Sequence, residues 1–198
     1  VFIIRYSQSV TDGQSYTWSV FVKAGTYNGG ITISLDSSIS GGYPLGGSKS
    51  LTVNLSTGER ISGVTSGYTI TSYQDGWYRI SVTGTATVDG TIEYSINSSA
   101  PALNEYFYVW GFQLEAASFP TSYIPTSGST ITRTADVATI EGNDFKRTNL
   151  LSYSEDFSNG WSRARFEPVV VNAAIAPNGT LTADKLIPNT LNNSHYIV

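Results

Sequence analysis

Apolar and polar residues alternate along much of this chain, with the period of two that is typical of a β-strand buried on one face. Within residues 14–23, Trp18, Val20 and Val22 fall on one side of the predicted strand and Ser19 on the other. The same alternation predicts further strands at residues 31–35, 51–55, 78–82 and 85–96, the last with a break at Asp89-Gly90.

Residues 104–115 are apolar on both faces of the predicted strand. Strict alternation places one set of side chains opposite Phe107 and Val109; that set is Tyr106, Tyr108, Trp110, Phe112 and Leu114. A strand that is apolar on both faces is expected to lie inside a sheet and to be covered on both sides.

The remaining segments predict a protein of short strands and turns. The longest loop spans residues 37–49, with Tyr43 and Pro44 at its tip, and residues 118–129 carry two prolines that favour an extended, non-strand segment. Further strands are predicted at residues 135–140, 167–173, 180–187 and 195–198. Because no helix longer than a turn or two is indicated, we expect an all-β sandwich or barrel.

Composition narrows the classes of function. The 198 residues carry a net charge of −4, and no basic run exceeds Lys146-Arg147, which argues against nucleic-acid binding. No window of about 18 apolar residues exists, so no membrane insertion is predicted. Cysteine is absent, which excludes disulfides and thiol chemistry. Methionine is absent even at position 1, so we expect the chain to be a piece of a longer protein.

Candidates for catalysis are few. His195 is the single histidine of a chain without cysteine, so a zinc site or a Ser-His-Asp triad has no support, and we expect a half-buried strand residue. The carboxylates that could form a glycosidase pair are Glu93, Glu105, Glu115 and the adjacent Glu155 and Asp156. Glu115 ends an apolar strand, and we expect it to bond to the backbone or to Arg79. We therefore predict that the protein is not an enzyme.

Aromatic residues near turns are the candidates for stacking on sugars. The sugar-binding candidates are Tyr27, Tyr43, Tyr68 and Tyr73, which lie near Gly-rich turns where exposure is expected, and Trp77, which begins a strand. The alternative is that these rings anchor loops. We predict no cofactor, although Glu155 and Asp156 offer the oxygen ligands that a structural calcium ion would use. A solvated turn is the alternative at those two acids.

Several motifs resemble a β-sandwich domain of bacteriophage tail and fibre proteins, of the type similar to carbohydrate-binding modules. The motifs that carry the resemblance are YTWSVFVKAG at 16–25, DGWYRISVT at 75–83, VWGFQLE at 109–115 and FPTSYIPT at 119–126. The tail resembles the opening of the same domain, through NLLSYSEDFSN at 149–159, APNGT at 176–180, TADKL at 182–186 and HYI at 195–197, the strand that should precede QSV at 8–10.

Relative to that family the motif order is rotated. Either the parent protein carries the domain in tandem, or the chain is circularly permuted. We therefore expect residues 1–140 to form the main part of the sandwich and residues 141–148 to form a linker. Residues 149–198 would complete the sandwich, within one chain or by strand swapping in a homo-oligomer, or would start the next copy.

The resemblance implies a two-sheet antiparallel, jelly-roll-like sandwich with no catalytic role. It implies a carbohydrate-binding-like module in the virion, in a tail or fibre, that adheres to host-surface glycans outside the cell. The alternative is a purely structural spacer or assembly domain whose partners are other virion proteins and which binds no sugar.

Overall fold

The computed structural model describes residues 2–35, 43–98, 102–133, 147–190 and 195–197. The strands are β1 (Phe2–Val10), β2 (Ser15–Ala24), β3 (Gly30–Leu35), β4 (Lys49–Asn54), β5 (Arg60–Gly63), β6 (Tyr68–Ser72), β7 (Trp77–Thr85), β8 (Gly90–Ser98), β9 (Phe107–Glu115), β10 (Ile131–Arg133), β11 (Arg147–Asn149), β12 (Arg163–Ala164), β13 (Val170–Ile175), β14 (Leu181–Lys185) and β15 (His195–Ile197). A single 3₁₀ turn, Gln74–Gly76, precedes β7.

Two large sheets form the molecule, which confirms the all-β sandwich. Sheet I has the order β12-β15-β1-β8-β3-β4-β5, and sheet II has the order β13-β14-β9-β2-β7-β6. Strands β10 and β11 form a separate two-stranded ribbon. Neighbouring strands run antiparallel, with the exception that β15 runs parallel to β1, where Phe2 lies opposite His195 and Ile4 lies opposite Ile197.

An inter-sheet core fills the space between the sheets. Sheet II contributes Trp18, Val20 and Val22, as their alternation predicts, and sheet I contributes Ile31 and Ile33 among others. Trp18 is completely buried, and its ring packs against Tyr94 and Phe112 at centroid distances of 5.2 and 5.0 Å. The apolar positions that alternation predicts in β2 and β3 are therefore the ones that face the core.

The predicted alternation in β9 is wrong beyond Trp110. Phe107 and Val109 face the inter-sheet core, and so do Phe112 and Leu114, whereas strict alternation places these two pairs on opposite faces. The change occurs at Gly111, whose φ is 62°, and it coincides with a register shift between β9 and β2. One extra residue at this bulge reverses the faces, and glycine adopts the left-handed conformation without the penalty of a side chain.

The tail strands lie on both sheets. β14 pairs with β9, since Lys185 lies opposite Tyr108, and β15 pairs with β1. Five tail side chains join the inter-sheet core; they are Leu151, Phe157, Trp161, Leu186 and Ile197. The strand predicted at residues 135–140 and most of the linker predicted at 141–148 lie outside the described residues.

The outer face of sheet II carries a second buried cluster, which we call the outer cluster: Phe21, Trp77, Trp110, Ala176 and Ala183. Residues of the β13–β14 hairpin lie over the two indoles, whose N–H groups are both bonded to tail residues. Trp77 Nε1 donates to the Ile175 carbonyl at 3.1 Å, and Trp110 Nε1 donates to Thr182 Oγ1 at 3.0 Å. As expected, β9 is covered on both sides at Trp110, whereas Tyr108 on the same outer face stays partly exposed.

Beside this cluster, the segment after β9 is fixed to sheet II by buried polar groups. Glu115 accepts hydrogen bonds from the Thr121 backbone N–H at 3.0 Å, from the Thr121 hydroxyl at 2.5 Å and from Gln113 Nε2 at 2.6 Å. Arg79 Nη1 donates to the Thr121 carbonyl. The expectation that Glu115 bonds to the backbone is confirmed.

Candidate functional site

Two lysines flank a tyrosine on the outer face of sheet II. Tyr108 in β9 lies opposite Lys23 of β2 on one side and opposite Lys185 of β14 on the other. Directly opposite residues in a sheet project their side chains to the same face. Tyr106, two residues before Tyr108, is placed on that face as well. We call these four residues, Lys23, Tyr106, Tyr108 and Lys185, the tyrosine–lysine surface; all four side chains are partly exposed.

The contacts within this surface are specific. The Lys185 ammonium lies 3.8 Å from the centroid of the Tyr106 ring, and the rings of Tyr106 and Tyr108 meet edge to face at 5.5 Å. Gly25 lies against the Tyr106 ring, where any Cβ would overlap both the ring and the Tyr106 carbonyl. The glycine that follows β2 thus leaves room for the Tyr106 ring to pack against the sheet.

The lysine charges of this surface are not paired with carboxylates of the described residues. Within the part of the chain that the structure describes, the single ion pair joins Arg5 and Glu93, at 2.9 Å on sheet I. Neither Lys23 nor Lys185 therefore has a carboxylate partner among the described residues. Partial burial and the hydrogen bond with Tyr106 raise the pKa of the Tyr108 hydroxyl.

Two of the aromatic residues predicted to contact sugar are buried. Tyr27 was expected to be exposed and is only 7% exposed, because its hydroxyl donates to the Gly30 carbonyl at 2.8 Å and its ring packs on Phe107. Trp77 is 1% exposed and belongs to the outer cluster. From its buried position, the Tyr27 ring fixes the turn before β3, and the Trp77 ring fixes the start of β7.

The other three predicted sugar-binding tyrosines are more accessible. Tyr43 is 50% exposed, although its neighbour Pro44 is buried. The Pro44 carbonyl accepts a hydrogen bond from the Thr87 backbone N–H. Tyr73 is 38% exposed and meets Phe21 edge to face at 5.1 Å, on the outer face of sheet II. Tyr68 is partly exposed and packs against the inter-sheet core. Their role in sugar binding stays a prediction.

A cavity of about 300 Å³ gathers Glu155 and Asp156 with a third acid, Asp184, which the sequence analysis did not single out. Asp184 is 2% exposed, and its two oxygens accept from the backbone N–H groups of Phe157 and Asn172, each at 3.0 Å. Burial raises the pKa of Asp184 and of Glu155. Asp184 thereby joins the 156–158 turn to β13, and calcium at Glu155 and Asp156 stays a prediction.

Among the described residues, no group of three or more acidic, histidine or cysteine side chains has the arrangement of a metal site. The acids of this cavity instead bond to nearby backbone and hydroxyl groups. Asp156 Oδ1, for example, accepts from both the backbone N–H and the hydroxyl of Ser158.

The other candidate carboxylates lie apart from one another. Glu93 is buried beside Arg5 in an ion-pair contact without hydrogen-bond geometry, and Glu105 accepts from the Ala102 backbone N–H at 2.6 Å. Glu115 is occupied by Gln113 and Thr121. His195 is 7% exposed in β15, with Nε2 beside the Asn189 carbonyl at 3.2 Å and its ring against Phe166.

From the sequence, Tyr106, Tyr108, Lys23 and Lys185 are predicted only as strand residues. One local signal was present, since Tyr106 and Tyr108 are two residues apart and must share a face of β9. The lysines could not be assigned to that face, because the pairing of β9 with β2 and β14 joins positions that are far apart in sequence.

No protein-family model matches the chain, and no curated protein matches it either. A search of the described residues for helices long and apolar enough to cross a membrane found none.

Proposed function

We propose that the protein is a non-catalytic carbohydrate-binding-like module that adheres to host-surface glycans. The observation that carries this proposal is the tyrosine–lysine surface, where two partly exposed aromatic rings stand beside polar donors on the open face of a rigid sheet. Aromatic rings offer an apolar face to the C–H groups of a sugar, and a sandwich sheet holds them in place. Its assignment to the tail or fibre of a bacteriophage virion rests on the sequence resemblance.

The test is binding of the purified chain to an array of bacterial polysaccharides. We expect at least one glycan to bind reproducibly, and Tyr108→Ala to weaken that binding about two- to tenfold, which corresponds to the loss of one aromatic contact. Tyr43→Ala is the matched comparison, since Tyr43 is the most exposed of the predicted sugar-binding aromatics.

The possible outcomes distinguish the position of the binding site from the function itself. Loss of binding with Tyr43→Ala alone would keep the function but move the site to the turn before β4. A blank array with folded protein would overturn the function itself.

A purely structural role is the second candidate, and one observation favours it. The β13–β14 hairpin, at the edge of sheet II, exposes four apolar side chains: Val170, Val171, Ile175 and Leu181, at 47, 47, 50 and 55%. Exposed apolar groups on an edge strand are typical of surfaces that pack against another protein. Concentration-dependent association in light scattering, abolished by Val171→Lys and unaffected by Val88→Lys at a comparably exposed turn, would support the spacer role.

A further inference from the structure

Two of the chain's four lysines, Lys23 and Lys185, converge on one tyrosine although they are 162 residues apart in sequence (185 − 23). They lie on the two strands that flank β9, so their backbones are separated by two strand spacings, or about 10 Å. In a protein of net charge −4, this places two cations on one small area of sheet II.

These two charges share one face of sheet II and are not neutralised by the described residues. No acidic side chain of the described residues pairs with either lysine, and the one favourable contact that Lys185 makes is with the face of the Tyr106 ring. Because their strands are only about 10 Å apart, close to the Debye length at physiological salt, the two like charges repel each other with incomplete screening. An anion placed between them would relieve this repulsion and gain two charge-assisted hydrogen bonds.

The geometry points to an acidic glycan, one whose sugar rings bear carboxylates, as the ligand of the tyrosine–lysine surface. This inference rests on the proposed function and gives it a class of ligand. The carboxylate lies between Lys23 and Lys185, and the C–H groups of the same or the next ring contact Tyr108. The hydroxyl of Tyr108 forms a hydrogen bond with a ring hydroxyl of the same glycan.

A nucleic acid is a poorer fit to the same cations. Two lysines can neutralise two phosphates, whereas proteins that bind nucleic acid through the backbone commonly make about 6–10 such contacts. The net negative charge of the chain opposes the approach of a long polyanion, while a short stretch of uronic acid needs only a local pair of amines.

The experiment is isothermal titration of the full chain with oligogalacturonate and alginate oligomers, and with the carboxyl-reduced form of each. The reduced oligomers keep the ring geometry and lose the charge. We expect at least one acidic oligomer to bind about tenfold or more tightly than its reduced form, with an affinity that falls as NaCl is raised.

Lysine variants test whether Lys23 and Lys185 cause the preference for the acidic oligomer. Lys23→Gln and Lys185→Gln should each weaken binding of the acidic oligomer about tenfold and leave the reduced oligomer unaffected. Lys23→Arg should retain binding, because the charge is kept. Lys49→Gln in β4 is the matched control, since Lys49 is also partly exposed but lies in sheet I. Circular dichroism and thermal unfolding verify that each variant is folded.

The possible results distinguish this inference from the proposed function. Equal binding of acidic and reduced oligomers, or no loss in either lysine variant, would overturn the acidic ligand while leaving a neutral-glycan module intact. Binding of only neutral polysaccharides on the array would also overturn the acidic ligand and leave a neutral-glycan module intact. Absence of binding to every glycan would overturn both.

Discussion

The inter-sheet core and the outer cluster are both buried, yet they are built in different ways. The inter-sheet core forms where the alternating faces of two sheets meet, and most of its members are strand residues, joined by loop residues such as Phe157 and Trp161. The outer cluster forms where the end of the β13–β14 hairpin lies over the outer face of sheet II, and its two tryptophans are each fixed by an N–H bond. Periodic hydrophobicity accounts for most of the first, whereas the second also needs specific hydrogen bonds and a bulge.

The largest loss of stability is expected in the inter-sheet core. Trp18→Ala removes a fully buried indole from contact with Tyr94 and Phe112 and should lower the free energy of unfolding by about 3–5 kcal/mol. Urea denaturation followed by tryptophan fluorescence measures this change. A milder variant in the outer cluster, Trp110→Phe, retains most of the ring and isolates the bond to Thr182, so it should cost about 1 kcal/mol. A larger cost for Trp110→Phe would reverse the comparison.

The next largest effect should come from the polar groups that hold the segment after β9. Glu115→Ala leaves the Thr121 N–H and hydroxyl and the Gln113 amide without their acceptor in a buried region, and should cost about 2–3 kcal/mol. The cost should be measured by urea denaturation, and hydrogen exchange should show faster exchange at residues 121–126. Glu105→Ala, which removes an acceptor at a more exposed turn, should cost less than half as much.

The bulge in β9 can be tested at its single glycine. Gly111→Ala requires a left-handed conformation at φ 62° and places a Cβ at 3.1 Å from Phe21 and Tyr123. The left-handed conformation alone costs an L-residue about 1–2 kcal/mol, and the crowding adds to this, so the midpoint of urea unfolding should fall further than for Gly13→Ala. Gly13→Ala is the control, since Gly13 also has a positive φ but nothing lies within 4 Å of an added Cβ. Equal costs would mean that the crowding at Phe21 and Tyr123 contributes nothing.

The smallest effect concerns the cavity where the tail joins sheet II. Burial raises the pKa of Glu155 above its unfolded value, and the negative charge of Asp184 adds to this. A carboxyl with a raised pKa stabilises the fold at low pH, and that stability is lost as the pH rises through the folded pKa. The wild type should therefore gain stability over Glu155→Gln as the pH falls from about 7 toward about 4.3, the ordinary pKa of glutamate. A difference between the two proteins that does not change with pH would contradict this.

Alternation predicted the inner face of β2, β3, β4 and β7 because each of these strands buries one face in the inter-sheet core. It missed β5 and β6, where every position is exposed or partly exposed and only Tyr68 and Ile70 of β6 pack against the core. It also misplaced Phe112 and Leu114, because sequence alone does not indicate that Gly111 adds a residue to the strand.

The candidate site was less predictable than the fold. Proximity to glycine suggested an exposed Tyr27, yet its ring packs on Phe107 and its hydroxyl donates to the Gly30 carbonyl. The tyrosine–lysine surface depends on which strands flank β9, a property of the topology rather than of any local pattern. Asp184 joined Glu155 and Asp156 for the same reason, since the tail hairpin brings it to their turn.

The parallel pairing of β1 with β15 has a mechanical consequence. Tension that enters the domain at Phe2 and leaves at Ile197 pulls these neighbouring strands in opposite directions along their length. The hydrogen bonds between them are then loaded together, in shear, instead of opening one after another as in a peeled hairpin. Resistance to forced unfolding follows the unfolding rate rather than the equilibrium stability. The three facing residue pairs of β1 and β15 thus resist the unfolding of the whole sandwich when it is stretched.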